Sequence, residues 1–263
     1  MPRSPRRTIT ITAGIVVVLA LIAVIAYLAG RSTNATPPPP PAHTTGSDPV
    51  SSPSQTAGSS EPGLAVGRAY AGTGGSSKGP AGLPLGYDHN KAGAATAATN
   101  YLMWLNSIRI TDKSTADAMA TSAAADAATR TALIHSSDET RSGMDDLKAD
   151  QLEPARGAYA VAHYSDDQAT IYIWAPEVTT DRSGTTDQLW AIDAVQVVWA
   201  SGDWKLDHQL MAQTGGAAVD PADPAGNPSA AEKRSILSRI PADAGEITDT
   251  ADQTWFEYAN AAH

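Results

Sequence analysis

The sequence contains no cysteine. This absence excludes disulfide bonds, thiol nucleophiles and cysteine-ligated zinc or iron–sulfur sites. It also excludes a lipoprotein anchor, which needs a lipidated cysteine after an apolar segment. Any folded domain in this chain must therefore be held together by packing and hydrogen bonds alone.

Familiar catalytic signatures are missing as well. The chain has no G-x-S-x-G, H-E-x-x-H or S-x-x-K spacing in a context that supports chemistry. The sequence therefore predicts a protein that is not an enzyme and that needs no cofactor and no metal.

Acidic residues are absent from the first 31 positions, which carry four arginines: Arg3, Arg6, Arg7 and Arg31. The rest of the chain holds 14 basic and 28 acidic residues, a net charge of −14. Such a domain lacks the basic footprint that binding to nucleic acid requires. We therefore predict no nucleic-acid partner, and we interpret the acidic excess as favouring solubility.

Charged residues are also absent from residues 8–30, a run of 23 mostly apolar positions. At about 1.5 Å per residue, a helix of this length measures roughly 35 Å, enough to cross a bilayer core of about 30 Å. Three arginines precede the run and one follows it. The positive-inside rule then predicts a cytoplasmic tail at 1–7, a single transmembrane helix at 8–30 and a domain outside the cell membrane.

A cleaved signal peptide is the alternative for this segment. Signal peptides have an apolar core of about 7–15 residues that ends in small residues spaced A-x-A. Here the core is longer, and residues 27–31 read YLAGR, a poor cleavage context. We therefore interpret the segment as an uncleaved signal anchor.

Large apolar side chains become scarce directly after the anchor. Five consecutive prolines at 37–41 favour an extended polyproline rod, and residues 72–82 are rich in glycine and serine. A stretch of this composition buries too little apolar surface to fold. We predict a disordered linker over residues 31–85.

Helices come first after the linker. Alanine and larger apolar residues recur at helical spacing over residues 90–108, and an alanine-rich amphipathic stretch runs over 114–149. Serines and a glycine interrupt this second stretch, so we predict two or three helices within it.

Strands follow, because the apolar period changes to two after Pro154. Four strands are predicted over residues 157–164, 169–178, 189–200 and 204–210. Tight turns between them imply an antiparallel meander. The predicted fold class is α+β: after the transmembrane helix and the disordered stalk, a domain at 86–212 packs helices on a curved antiparallel four-stranded sheet. Residues 213–263 are predicted to form a loop and a C-terminal helical extension.

One hairpin carries a resemblance. Residues 195–206 read VQVVWASGDWKL, a strand, a Gly-Asp-Trp turn and a second strand, and they follow the anchor, the stalk and the helix at 93–108. This layout resembles the nuclear-transport-factor-2-like, cystatin-like cone fold over residues 86–212. It is similar to bitopic scaffold proteins of type IV secretion and conjugation systems and to Mce-associated membrane proteins of actinobacteria. The resemblance implies envelope or membrane proteins as partners, and it leaves self-association open.

A cone fold can enclose a pocket between sheet and helices. The polar residues that would line it are, from the predicted strands, Tyr159, His163, Tyr172, Asp193 and His208. Asp193 interrupts an otherwise apolar strand face and could act as a base. The alternative that we favour places Asp193 in solvent or bonded to the backbone. The two histidines bind metal only if they are adjacent, and no third ligand is evident.

Aromatic residues late in the chain are candidates for a protein contact. The candidates are Trp190, Trp255, Phe256 and Tyr258. They would form a contact surface only if the fold leaves them exposed, since clustered aromatic residues more often make a core.

These observations support three functions. The leading prediction is a single-pass, membrane-anchored scaffold or interaction module outside the cytoplasm, in a conjugation or transport assembly. The second is a binding module for a small apolar ligand inside the cone. The third is an enzyme that uses Asp193.

Overall fold

The computed structural model describes residues 64–215, 220–238, 243–244, 247–248 and 255–261. The predicted cytoplasmic tail, the predicted transmembrane helix and residues 31–63 of the predicted linker lie outside these ranges. Within them, no helix combines the length and apolar character that crossing a bilayer requires.

The described residues form helices and strands in the following order. The α-helices are α1 (Lys91–Leu105), α2 (Lys113–Ala123), α3 (Ala127–Gly143) and α4 (Ala230–Leu237). The strands are β1 (Leu64–Val66), β2 (Ser77–Lys78), β3 (Pro84–Leu85), β4 (Leu147–Leu152), β5 (Ala158–Tyr164), β6 (Gln168–Asp181), β7 (Thr186–Ala200), β8 (Asp203–Gly215), β9 (Asp243–Ala244), β10 (Ile247–Thr248) and β11 (Trp255–Glu257). Short 3-10 turns lie at Pro80–Gly82, Ile108–Thr111 and Pro154–Arg156.

The main sheet corrects the predicted fold class. It has seven strands in the order β1-β11-β5-β6-β7-β8, with β4 also paired to β6, whereas we predicted a four-stranded meander. It is also mixed, because β1 runs parallel to β11. These two strands have three residues each, too few for a period of two to be recognised in the sequence.

The predicted start of order is also corrected. Strand β1 lies within the stretch that we predicted to be a disordered linker, and the glycine-rich stretch after it is bonded to α1. Asn100 of α1 accepts a hydrogen bond from the backbone N–H of Gly72 at 2.6 Å and donates to the carbonyl of Thr73 at 2.8 Å. Composition gave no sign of this order, because the segment is held by long-range hydrogen bonds and by a few widely spaced buried apolar residues such as Leu64, Ala69 and Leu83.

Helix α1 packs on one face of the sheet, which we call the helix-facing side, and contacts β6, β7 and β8. Its N-terminus is capped by Asn90, whose side chain accepts a hydrogen bond from the backbone N–H of Gly93 at 2.9 Å. Nearly all of its first turns are alanine, glycine or threonine, and these small side chains are buried. Small residues on all sides let the helix approach the sheet closely, which brings its far end beside β4.

Both faces of the sheet are covered, where we predicted helices on one. The larger core lies between the sheet and α1, α2 and α3. The smaller core lies on the opposite face, where Ile236 and Leu237 of α4 pack with Trp174 and Trp190. The two tryptophan rings lie 4.4 Å apart between centroids. The C-terminal helix therefore belongs to the body of the domain.

The Gly-Asp-Trp hairpin fastens the segment that leads into α1. Its turn is made by Ser201 and Gly202, both with positive φ, which suits a two-residue hairpin loop. Asp203 follows the turn and accepts hydrogen bonds from the backbone N–H groups of Gly86 at 3.0 Å and Tyr87 at 2.8 Å. The sequence feature that carried the resemblance therefore has a structural role in this domain.

Candidate functional site

A cleft of about 860 Å³ opens beside α1, α2 and the edge strand β4. Its apolar wall includes Met103, Trp104, Met119 and Leu152. Its polar and charged lining includes Asn100, Ser107, Arg109, Asp150, Gln151, Glu153, Arg156 and Asn227. Clefts of this size, with mostly apolar walls and a few polar groups, are typical of sites for small molecules.

Strand β4 forms the wall of the cleft on the sheet side. It pairs with the second half of β6, with Leu152 opposite Glu177 and Asp150 opposite Thr179. Because side chains alternate along a strand, Asp150, Leu152 and Glu177 share the face that looks toward the helices. On its outer side β4 is tied to the end of α1, where the backbone N–H of Leu152 donates to the carbonyl of Asn106 at 3.2 Å.

Three carboxyl side chains are buried on this face. Asp150, Glu177 and Asp193 are only 5%, 6% and 4% exposed. Strand register puts Asp193 of β7 opposite Ile173, which lies on the same face of β6 as Glu177. The sheet thus gathers three acidic groups from three strands beneath the helices.

The pKa values of two of these groups are raised. Burial, the charges of Asp150 and Asp193, and a hydrogen bond with Asp150 raise the pKa of Glu177 to about 8. Burial raises the pKa of Asp150 to about 6, against the opposing effect of its hydrogen bond with Glu177. At neutral pH, Glu177 is therefore protonated and donates to an ionised Asp150.

Several buried polar atoms near the cleft have no partner. Among the described residues, Asp150 Oδ1, Trp104 Nε1 and Arg156 Nε make no hydrogen bond. All three residues line the cleft, and Asp150 and Trp104 are almost completely buried. Buried polar groups are nearly always hydrogen-bonded, so unpartnered ones in a cleft wall indicate a place where a ligand or water completes the set.

The structure does not bring the predicted pocket residues together. Tyr159 packs in the larger core, and its hydroxyl accepts hydrogen bonds from the backbone of Arg68 and Ala69. Tyr172 packs in the smaller core on the opposite face. His163 is exposed on β5.

Two further pocket candidates have separate outcomes. Asp193 is buried on the helix-facing side, which excludes the solvated form of the alternative that we favoured and leaves the backbone-bonded form open; it is not part of the cleft lining. The backbone of His208 lies in β8, and its side chain lies outside the structural description.

The aromatic residues predicted to form a contact surface are mostly in the core. Trp190, Trp255 and Tyr258 are 0%, 2% and 1% exposed. Phe256 is half-buried and stacks on the Tyr159 ring, with centroids 5.5 Å apart. Three of the four candidate residues are therefore not exposed, and they cannot form the predicted contact surface.

Sequence reasoning missed Asp150, Glu177 and Trp104 as parts of one site. Glu177 did carry a signal, because it is a carboxylate inside the apolar run of β6. Asp150 gave none, since it lies just beyond the stretch predicted to be helical. Within the described ranges, no group of three histidine, aspartate or glutamate side chains is placed to hold a metal ion.

These features define an α+β domain with a mixed sheet covered on both faces and one cleft-side carboxyl cluster. Residues 29–223 match the family model described as a domain of unknown function, DUF8175. The match spans most of the chain, so the protein belongs to this family. No curated protein and no solved structure matches the chain.

The buried carboxyl pair predicts a stability that falls as pH rises. A raised pKa in the folded state means that the folded protein holds protons that the unfolded chain releases. The stabilising contribution is complete below about pH 4 and is lost as pH rises through about 6 for Asp150 and about 8 for Glu177. We expect Glu177→Gln to remove the part of this decline that Glu177 contributes, up to about pH 8, and to leave the part that burial of Asp150 causes, as measured by urea unfolding across that range.

A matched control for that experiment is Glu139→Gln, which changes a glutamate on the surface of α3. The control should keep the decline seen in the unchanged protein. A decline that is equally steep in Glu177→Gln would show that the buried pair does not cause it.

Proposed function

We propose that this protein is a membrane-tethered binding module whose outside domain holds a small, partly apolar ligand in the cleft beside β4. The observation that carries the proposal is the pair of unpartnered buried atoms, Asp150 Oδ1 and Trp104 Nε1, in a cleft wall that also carries apolar side chains. A ligand that combines an apolar body with hydrogen-bonding groups would satisfy both features.

The position of the aromatic residues favours ligand binding over a scaffold role. The scaffold prediction would have gained a contact surface from exposed aromatic residues, and Trp190, Trp255 and Tyr258 are buried instead. Its support is the layout of anchor, stalk and domain and the lack of a catalytic signature in the sequence. A role in conjugation or transport therefore stays a prediction from sequence resemblance.

A binding role is also favoured over catalysis by Asp193. That residue does not line the cleft; of the two carboxyl groups that do, Glu153 is paired with Arg156 at 2.7 Å, and Asp150 has the unpartnered oxygen placed to meet a ligand. One carboxyl group with a partly shared proton can orient a ligand without doing chemistry on it. We therefore propose a module that binds rather than converts its ligand.

A neutral apolar fluorophore, N-phenyl-1-naphthylamine, tests the cleft directly. We expect saturable fluorescence enhancement with one site per chain, because the apolar wall excludes water from the bound dye. Ala155 lines the cleft and packs against the larger core on the helix side of the sheet, so Ala155→Trp should fill part of the cleft and reduce the affinity at least tenfold, about 1.4 kcal/mol.

The control is Lys148→Trp, at an exposed position of β4 outside the cleft lining. It should bind the dye as the unchanged protein does. Equal binding by the Ala155→Trp variant, or no saturable binding by the unchanged protein, would contradict the proposed function.

Anchoring rests on the charge-free run at residues 8–30. The absence of native cysteine makes labelling clean, because a single introduced cysteine is the only reactive thiol. In intact cells, a membrane-impermeant maleimide should label Ser60→Cys and leave Ser4→Cys unlabelled. Labelling of neither variant, or recovery of the protein away from the membrane fraction, would contradict the tether.

A further inference from the structure

Two buried carboxyl groups, those of Asp150 and Glu177, lie beside the cleft without an ion-pair partner among the described residues. Within the described ranges, no lysine, arginine or histidine forms an ion pair with Asp150 or Glu177. Burying an ionised carboxylate is unfavourable unless a counter-charge or several hydrogen bonds compensate. Burial and the neighbouring acidic charges raise the pKa of Glu177, so that at neutral pH the pair holds one proton and carries one negative charge.

A third acidic residue lies on the same face of the sheet as this charged pair. Asp193 lies on the same face, and its charge acts on Glu177 in the same direction as that of Asp150. The groups that face Asp150 from the sheet are therefore acidic, and none of the neighbouring strands supplies a positive side chain to it among the described residues.

The arginines that line the cleft do not supply a counter-charge to Asp150. Arg156 is occupied elsewhere: its guanidinium donates to Glu153 at 2.7 Å and to Gln188 at 3.1 Å. Arg109 is exposed and donates to the carbonyl of Ala81 at 3.1 Å. In the cleft wall, Asp150 is thus a carboxylate with an unpartnered oxygen and no counter-charge among the described residues.

We propose that the cleft takes ligands in which an apolar body ends in a protonated primary amine, and that Asp150 selects the amine. This inference rests on the proposed binding function and specifies its ligand class. An ammonium group carries both the positive charge and the N–H donors that Asp150 Oδ1 lacks. Met103, Met119 and Leu152 provide apolar surface for the rest of such a ligand.

Three ligands with the same apolar chain test the proposal: octylamine, octanol and octanoate. Their affinities are measured by isothermal titration calorimetry near pH 7.5, where Asp150 is ionised. We expect octylamine to bind about tenfold more tightly than octanol, in keeping with one charge-assisted hydrogen bond. Octanoate should bind more weakly than both, because its charge repels that of Asp150.

Replacing the carboxylate gives the residue-level test. In Asp150→Asn the preference for octylamine over octanol should disappear, while the affinity for octanol stays within about twofold. The exposed Asp145 lies on the loop before β4, so Asp145→Asn is the matched control and should keep the full preference.

A second readout needs no variant. Protonating Asp150 removes its charge, so octylamine affinity should fall between about pH 7.5 and pH 5 and octanol affinity should not. Equal affinity of amine and alcohol, or tighter binding of octanoate, overturns the amine proposal and leaves the cleft as a binding site. Failure of all three to bind overturns the proposed function together with this inference.

Discussion

Lys233→Met is expected to lower the free energy of unfolding by about 3–5 kcal/mol, the largest effect of any single change considered for this fold. Lys233 is fully buried in α4, and its ammonium group lies 2.8 Å from a carboxylate oxygen of Glu257. It also donates to the carbonyl of Gly157 at 3.3 Å. Removing the lysine leaves Glu257 charged and buried without a counter-charge. Urea unfolding followed by tryptophan fluorescence measures the loss.

The double variant Lys233→Met, Glu257→Gln separates loss of the ion pair from loss of packing. It removes the stranded charge, so much of the lost stability should return. Lys113→Met serves as a control, since Lys113 pairs with Asp117 and Asp138 on the surface, and it should leave the unfolding midpoint unchanged. If the single Lys233 variant matches the unchanged protein, the C-terminal helix is not held by this pair.

The second large effect is expected from Asp203→Ala, at about 3 kcal/mol. Two backbone N–H groups, those of Gly86 and Tyr87, would lose the acceptor that satisfies them in a largely buried position. Lys205 would also lose its ion-pair partner, which lies 3.0 Å away, and keep its hydrogen bond to the carbonyl of Ser122. The free energy of unfolding and the amide hydrogen exchange of residues 86–88 both report this change.

Asp181→Ala is the control for Asp203, because both aspartates lie at hairpin turns of the sheet. Asp181 accepts hydrogen bonds from Ser183 and the backbone of Thr185 at the exposed β6–β7 turn. Its loss should leave the unfolding midpoint unchanged. Accelerated exchange of residues 86–88 in the Asp203 variant, and not in the control, would show that the hairpin fastens the segment before α1.

The long elements were the predictable part of this fold. Helix α1 and strands β5, β6, β7 and β8 lie close to their predicted ranges, because each has enough residues for a period to show. The three-residue strands β1 and β11 carry no such pattern. Their pairing is parallel and joins Leu64 with Trp255, far apart in the chain, which no local signal encodes.

Strand β4 shows why the cleft could not be predicted. It begins at Leu147, inside a stretch whose apolar spacing favoured a helix, and it forms because it pairs with β6. That pairing places Asp150 beside Glu177, and neither residue type is unusual on its own. The site is therefore a product of strand register, and sequence reasoning reached only Asp193, which like Glu177 is not part of the cleft lining.

The two tryptophans with unpartnered buried indole N–H groups allow one decisive experiment on the cleft. Trp104 lines the cleft, and Trp255 lies in the core on the opposite face of the sheet. In protein labelled with nitrogen-15, saturating octanol or octylamine should shift the indole N–H resonance of Trp104, assigned with Trp104→Phe, and leave that of Trp255 in place. A Trp104 resonance that does not move at saturation, or one that moves no more than Trp255, would contradict the cleft as the binding site.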